Sequence, residues 1–180
     1  MNEKKLTLIR HTQPDIAPGI CYGQTDVGVA ENFAGEAAAV ANWVQSVDLL
    51  IASPLARTQR LAEYLSGVFS CDWRADARLM ELNFGEWEGQ NWSGIPRYDL
   101  DAWGADILHF TPPGGESATQ LMLRVKMALS DVMILPYQHV ALIAHAGSLR
   151  AVLSLLGDVS LSNVMTWEIG YGAVIELKVT

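Results

Sequence analysis

Arg10 and His11 follow a short apolar run, residues 6–9, that is typical of a buried strand. A charged pair is costly to bury and fits the open end of such a strand. In open α/β sheets, ligands bind at the carboxyl ends of the strands. We therefore interpret His11 as a candidate nucleophile and Arg10 as a candidate anion-binding group. This segment alone is more typical of a strand that ends in two solvated residues.

Two later positions have the same character. Arg57 follows the apolar run 47–52 and a Ser53-Pro54 pair, which predicts a helix that starts with Ser53 as its N-cap. An arginine in a first helical turn is electrostatically disfavoured unless an anion binds there, and the alternative is a solvated surface arginine. His145 ends the apolar run 139–145. If these strands are parallel, Arg10, His11, Arg57 and His145 converge at one sheet edge.

A proton donor is suggested by residues 81–89, which hold three glutamates among aromatic and glycine residues. A carboxyl group beside aromatic side chains can acquire the raised pKa that a general acid needs. The residues alone do not distinguish Glu81, Glu86 and Glu88. The aromatic stretch that continues from here predicts a lid over the sheet edge at about 84–115, with a small satellite core as the alternative.

Alternating apolar strands and amphipathic helices predict a single α/β domain over residues 1–180. Its expected architecture is a three-layer α/β/α sandwich whose mostly parallel sheet has one antiparallel edge strand. Ser117 and Gln120 match a capping box. The other predicted elements are helices at 30–47, 53–65, 117–135 and 149–156, a short strand at 72–79, and a hairpin at 164–179.

Composition excludes several classes of protein. The chain has 180 residues, a net charge of −8 and no Lys/Arg-rich run, so nucleic-acid binding through a basic face is not expected. No secretory signal or membrane span is evident, and we expect a cytoplasmic protein without membrane partners. Cys21 and Cys71 have no metal-binding or CxxC spacing and are expected to be reduced. The oligomeric state is unknown.

Four motifs in this order resemble the histidine phosphatase (phosphoglycerate mutase-like) superfamily. They are Leu8-Ile9-Arg10-His11-Thr12, Ser53-Pro54-Leu55-Ala56-Arg57, the stretch 81–89, and His145-Ala146-Gly147. Together they are specific, whereas each alone would be weak. The stretches 21–26 and 112–117 further resemble the alpha-ribazole phosphatase branch, which removes phosphate from alpha-ribazole 5'-phosphate in cobalamin nucleotide-loop assembly.

The resemblance implies roles for the candidate residues. His11 would become a phosphohistidine, Arg10, Arg57 and His145 would bind phosphoryl oxygens, and Glu81 would be the acid and base. Such chemistry needs no metal or other cofactor. Backbone or side-chain groups would complete the phosphate pocket at the expected substrate-binding positions Thr12, Tyr22, Gly23, Gln24 and Ala146.

Two departures from the family pattern affect the expected pocket. The family usually has glycine where this chain has Thr12, and often Gly-Gly where it has Ala146-Gly147. Mutases of the family usually carry paired arginines for a carboxylate substrate, but between Glu81 and Glu116 this chain has only Arg97.

The sequence therefore predicts a phosphoric monoester hydrolase acting on a small phosphate monoester, with alpha-ribazole 5'-phosphate as the expected substrate. The alternatives are a phosphatase for another sugar phosphate or nucleotide, a phosphoglycerate mutase, and a silent phospho-ligand binding module. A nucleotide-dependent oxidoreductase is disfavoured because no GxGxxG follows the first strand.

Overall fold

A five-stranded sheet organises the computed structural model, which describes residues 3–157 and 159–179. The strand order is β3-β2-β4-β1-β5, and only β5 runs antiparallel to its neighbour, β1. The mostly parallel sheet with an antiparallel edge strand is thus confirmed. The strands are β1 (Lys4–Arg10), β2 (Leu49–Ala52), β3 (Asp72–Ala75), β4 (His139–Ala144) and β5 (Val174–Val179).

Helices cover both faces of the sheet, which gives the expected three layers. Helices α1 (Phe33–Val44) and α2 (Ala56–Phe69) pack on one face. Helices α4 (Ala118–Met133), α5 (Ala146–Gly157) and α6 (Leu161–Val164) pack on the other, and α3 (Arg97–Ala105) lies in the aromatic segment. None of the described helices is long and apolar enough to cross a membrane.

Strand β4 is the clearest example of how the sequence forms this sandwich. All six of its residues are buried. Val140, Leu142 and Ala144 belong to the core under α4 and α5, whereas Ala141 and Ile143 belong to the core under α1 and α2. Since burial of one large aliphatic side chain contributes about 1.5–3 kcal/mol, this continuous apolar run is stable only at the centre of a covered sheet.

Strand register places the candidate residues at one edge. Arg10 at the end of β1 is opposite Ala144 at the end of β4, and Ala52 at the end of β2 is opposite Ile143. The His11 amide extends this ladder by donating to the Ala144 carbonyl over 3.1 Å. Residues that follow these three strands therefore meet at the same edge.

The start of α2 differs from the prediction. Helix α2 begins at Ala56, with Leu55 rather than Ser53 at its N-cap. The Ala56 amide is capped instead by Asp26, whose Oδ1 accepts it over 2.7 Å. The Ser-Pro signal was wrong because a carboxylate from a distant loop supplies the cap, which leaves the Ser53 hydroxyl free for another partner.

Other boundaries were also wrong. Helix α1 spans Phe33–Val44 rather than 30–47, and α2 ends at Phe69 rather than at about 65. Strand β3 ends at Ala75, and a 3₁₀ turn at Ala77–Leu79 follows it. Helix α5 already begins at Ala146. The predicted hairpin at 164–179 contributes only β5, which pairs with β1, while residues 165–173 form turns and extended chain. The predicted capping box is confirmed, because Ser117 and Gln120 each accept the other's backbone amide.

Candidate active site

His11 lies at the centre of the strand edge and is 1% exposed. Its ring centroid is 5.0 Å from that of His145 and 5.5 Å from that of Tyr171. Its Nδ1 lies 2.7 Å from the Thr12 carbonyl oxygen. Because a carbonyl can only accept, Nδ1 must be the protonated nitrogen in this contact.

Burial and charge keep the His11 ring neutral. Loss of solvent lowers its pKa well below the ordinary 6.5, and the cationic Arg57 and Arg10 lower it further, while the hydrogen bond to Thr12 opposes them. A neutral ring with its proton on Nδ1 has a free lone pair on Nε2. The structure thus provides a nucleophilic nitrogen with a fixed tautomer.

Arg57 is fully buried, although it lies in the first turn of α2. Its Nη1 donates to the Thr25 carbonyl over 2.9 Å and its Nη2 to the Gly23 carbonyl over 2.7 Å. Gly23 has a φ of +33°, and a Cβ there would be 2.2 Å from a Glu88 oxygen, so a larger residue would displace the loop that holds Arg57.

Unpartnered buried polar atoms mark the site as incomplete without a ligand. Among the described residues, four buried side-chain atoms have no hydrogen-bond partner: Arg10 Nε, Thr12 Oγ1, Arg57 Nε and His145 Nδ1. Native proteins satisfy the great majority of such groups, and an unmet one costs about 1–3 kcal/mol. All four belong to predicted site residues, and two are guanidinium donors. This set fits a compact oxyanion such as phosphate.

His145 and Ser53 meet across two strand ends. The Ser53 hydroxyl is 2.8 Å from His145 Nε2. Ser53 is held in place because its backbone N–H donates a hydrogen bond to the Ile143 carbonyl. Burial, His11 and the two arginines lower the pKa of His145 well below 6.5. Sequence reasoning did not identify Ser53 as a partner of His145, because its local context indicated a helix cap.

Glu81 lies at the same edge of the sheet, in the segment that follows the 3₁₀ turn at Ala77–Leu79. Its Oε2 accepts the Gly147 amide in the first turn of α5 over 3.2 Å, and its Oε1 accepts the Leu82 amide over 2.9 Å. A Cβ at Gly147 would be 2.3 Å from Oε1. Gly147 is therefore required for this carboxylate position, whereas Ala146 is accommodated as the first helical residue.

Arg124 of α4 holds the segment that carries Glu81, and sequence reasoning missed it. Its guanidinium donates to the backbone carbonyls of Arg78, Met80 and Glu81 over 2.7–2.8 Å. It also forms an ion pair with Glu116. These contacts fix the backbone on either side of the carboxylate.

The two other candidate glutamates have different surroundings. Glu88 accepts the amides of Gln24, Thr25 and Phe84, so it joins the two loops on either side of the site. Glu86 is exposed. Geometry therefore favours Glu81 as the carboxylate available for chemistry, a choice that the residue pattern left open.

Tyr22 and Tyr171 lie over the arginines. The Arg10 guanidinium carbon is 4.0 Å from the Tyr171 ring centroid, and that of Arg57 is 5.1 Å from the Tyr22 ring centroid. The two hydroxyls are 3.0 Å apart. Tyr171 was not predicted, because the Gly-Tyr-Gly context indicated only a turn.

The other predicted binding positions have structural partners. The Gln24 amide donates to Glu88, and its side chain donates to the Glu81 carbonyl over 2.9 Å.

The predicted lid segment forms a small aromatic core around Trp87, which is 2% exposed. Phe84 and Trp103 from this segment also line a cavity beside Glu81. Within the described residues, no group of three or more His, Cys, Asp or Glu is arranged to hold a metal ion.

The family assignment follows from sequence comparison. The profile described as Histidine phosphatase superfamily (branch 1) matches residues 6–180. The chain belongs to the histidine phosphatase superfamily. The fold agrees with this: a solved alpha-ribazole phosphatase from Shigella flexneri superposes with a TM-score of 0.86 at 22% identity, covering 96% of this chain and 89% of that one.

Relatives in this superfamily have different names. A protein of Hydrogenobacter thermophilus, provisionally named phosphoserine phosphatase 2, is 28% identical over 180 residues, covering 97% of this chain and 89% of its own length. A Proteus mirabilis protein provisionally named phosphoglycerate mutase GpmB is 31% identical over 156 residues, covering 82% of this chain and 72% of its own. The family and these names support a phosphatase, and they do not agree on one substrate.

Proposed function

We propose that this histidine phosphatase hydrolyses small phosphate monoesters through a covalent phosphohistidine on His11. The observation that carries the proposal is the neutral His11 ring, with Nδ1 held by Thr12, beside four buried polar atoms that lack partners. The ring supplies the nucleophile, and the unpartnered groups supply contacts to phosphoryl oxygens.

In the first step, His11 Nε2 attacks phosphorus while the bond to the ester oxygen breaks. The electron pair of that bond leaves with the alkoxide, which takes a proton from Glu81. In the second step, water attacks phosphorus and gives a proton to the Glu81 carboxylate as the P–N bond breaks. Inorganic phosphate leaves, and His11 returns to its neutral form.

Charge that spreads over the phosphoryl oxygens is stabilised by the two arginines and by His145. When the Ser53 hydroxyl donates to His145 Nε2, the proton of the neutral ring lies on Nδ1, which is buried without a partner. Nδ1–H then donates to an oxygen of the ligand. The Thr12 hydroxyl is buried beside the nucleophile and donates in the same way, which gives this residue a role that a glycine could not have.

Two substrate classes are candidates. Alpha-ribazole 5'-phosphate is supported by the resemblance of residues 21–26 and 112–117 to that branch and by the shared fold. Phosphate esters of hydroxy acids are supported by relatives that are named for phosphoserine and phosphoglycerate. A silent binding module is disfavoured because nucleophile, arginines, second histidine and carboxylate are all present at one edge. Mutase action is disfavoured because Arg97 is exposed and paired with Asp101.

Rapid-quench labelling tests the proposed reaction. On brief mixing with a ³²P-labelled phosphate monoester, the wild-type protein should form a phosphoprotein that is labile in acid and stable in base. His11→Ala should form none, because the attacking nitrogen is gone. The same label in His11→Ala would refute the nucleophile assignment. A comparison of kcat/KM for alpha-ribazole 5'-phosphate, phosphoserine and 3-phosphoglycerate then ranks the substrate classes.

A further inference from the structure

The cavity beside Glu81 has a volume of about 150 Å³. Phe84, Trp103 and Met165 form part of the apolar lining of this cavity. Arg150 is the cationic residue that lines it. Because Glu81 would protonate the leaving oxygen, this cavity is positioned to hold the alcohol part of the substrate. Water occupies about 30 Å³ per molecule, so the cavity suits a short hydroxy compound better than a whole nucleoside.

Among the described residues, the hydrogen bonds of the Arg150 side chain on α5 all use one edge of its guanidinium. Its Nε and Nη2 both donate to the Trp167 carbonyl, over 2.9 and 2.6 Å. The guanidinium is planar, and the donors on its end, from Nη1 and the second hydrogen of Nη2, point away from that carbonyl. This free edge has the spacing that binds a carboxylate through two parallel hydrogen bonds.

The charge of Arg150 has no close ion-pair partner in the part of the chain that the structure describes. Within residues 3–157 and 159–179, no ion pair of 4.0 Å or less includes it. Its burial lowers its pKa, an effect opposed by the nearby Glu81 and increased by Arg10. A partly buried cation in such surroundings favours an anionic ligand.

We propose that Arg150 determines substrate specificity by binding a carboxylate on the alcohol part, so that the preferred substrates are phosphate monoesters of short hydroxy acids. This inference rests on the proposed function and deepens it. The two guanidinium groups at the phosphate, Arg10 and Arg57, are then used for the phosphoryl oxygens, and Arg150 is used for the second anion. The proposed carboxylate-binding arginine, Arg150, therefore lies on α5. It does not lie between Glu81 and Glu116, the segment in which mutases of the family usually carry paired arginines.

A matched substrate pair tests the inference. 3-Phosphoglycerate and glycerol 3-phosphate share the three-carbon backbone and phosphate, and only the former has a carboxylate. Wild-type kcat/KM should be higher for 3-phosphoglycerate. Arg150→Met should lower the ratio of the two values by about 10- to 100-fold, the range expected for loss of hydrogen bonds to a charged group. Arg150→Lys keeps the positive charge but lacks the paired N–H donors of the guanidinium, so it should give an intermediate ratio.

The ratio cancels any general loss of folding or of phosphoryl transfer. Arg97→Met removes the same charge from an exposed arginine on α3 and should leave the ratio unchanged. The rate of phosphoenzyme hydrolysis should be the same from both substrates, because the alcohol has already left.

A wild-type preference for glycerol 3-phosphate or alpha-ribazole 5'-phosphate, or a ratio that Arg150→Met leaves unchanged, would overturn the inference alone. Absence of any phosphoenzyme from either ester would overturn the proposed function as well.

Discussion

Backbone register fixes His11 and His145, whereas side chains from α4 and from a distant loop fix Glu81. The histidines follow paired strands, and the His11 amide continues the ladder between β1 and β4. Glu81 lies in an irregular segment whose carbonyls are held by Arg124 and Gln24. We call His11 and His145 the nucleophilic half of the proposed site and Glu81 the acidic half. The nucleophilic half is therefore part of the core, while the acidic half is attached to the core by a few polar contacts.

This difference has an energetic consequence. Displacement of His11 would break its amide hydrogen bond to Ala144 at the end of the central strands, beside the fully buried Ile9 and Ala144. Displacement of Glu81 requires the loss of hydrogen bonds around residues 78–81, each worth about 1.5–3 kcal/mol because the donor is a charged guanidinium. We expect substitutions at the two halves to differ in how strongly their effect depends on the leaving group and in how much they destabilise the fold.

The largest contrast should come from Glu81→Gln. A positioned general acid contributes about 10²–10⁴-fold, and its contribution grows as the leaving group becomes more basic. We expect a loss in this range for alkyl phosphates and less than about 10-fold for p-nitrophenyl phosphate, measured as kcat/KM.

Two other glutamates serve as controls for that variant. Glu86→Gln changes an exposed carboxylate and should have no effect. Glu88→Gln should affect both kinds of substrate alike, because Glu88 joins the loops at Gln24 and Phe84. Equal losses on alkyl and aryl phosphates in Glu81→Gln would argue against Glu81 as the acid.

Arg124→Met should reproduce part of the Glu81 effect without touching the carboxylate. Three backbone carbonyls and Glu116 would lose their donor, so we expect a loss of about 1–3 kcal/mol in the free energy of unfolding. Small misplacement of a catalytic group can cost up to about 10²-fold, and we expect about 10-fold lower kcat on alkyl phosphates.

Arg78→Met is the matched control for Arg124→Met. Arg78 begins the same segment and also forms ion pairs, with Asp76 and Asp131, but the bonds of its side chain go to those two carboxylates and not to Met80 or Glu81. Urea denaturation and the ratio of alkyl to aryl phosphate kcat should separate the two variants. If both reduce that ratio equally, Arg124 does not act by positioning Glu81.

Strand patterns allowed the sequence to predict the nucleophilic half. Short apolar runs that each end in Arg-His, Ser-Pro-Leu-Ala-Arg or His specify parallel strands, and parallel topology alone brings Arg10, His11, Arg57 and His145 to one edge. The fold class followed from the same alternation of strands and helices. The local periodicity of these elements agrees with their tertiary environment.

Long-range side-chain contacts explain what could not be predicted. Arg124 looks like any polar residue of an amphipathic helix, yet it bonds carbonyls more than forty positions earlier. Ser53 has a typical N-cap context, but Asp26 caps α2 and Ser53 bonds His145. No local pattern encodes such pairs, because each depends on where the finished fold places two distant segments.

Acid should weaken the fold through the nucleophilic half. His11 and His145 have pKa values lowered below 6.5, so the unfolded chain binds protons that the folded chain does not as the pH falls below about 6.5. Their contribution is therefore fully present above that pH and is lost toward the lower folded-state values. Each histidine can change the free energy of unfolding by about 1.4 kcal/mol per pH unit within this window.

Urea denaturation at about pH 7.5 and about pH 5.5 measures this slope. His11→Gln and His145→Gln should each reduce it, since each removes one group that titrates differently in the two states. His139 also has a lowered pKa and should leave a residual slope in both variants. Arg124→Met should reduce stability at both pH values, and somewhat less at the lower one, because Arg124 is among the charges that lower the pKa of His145. A wild-type slope in His11→Gln would mean that His11 is not held neutral, and the nucleophile would then need a base.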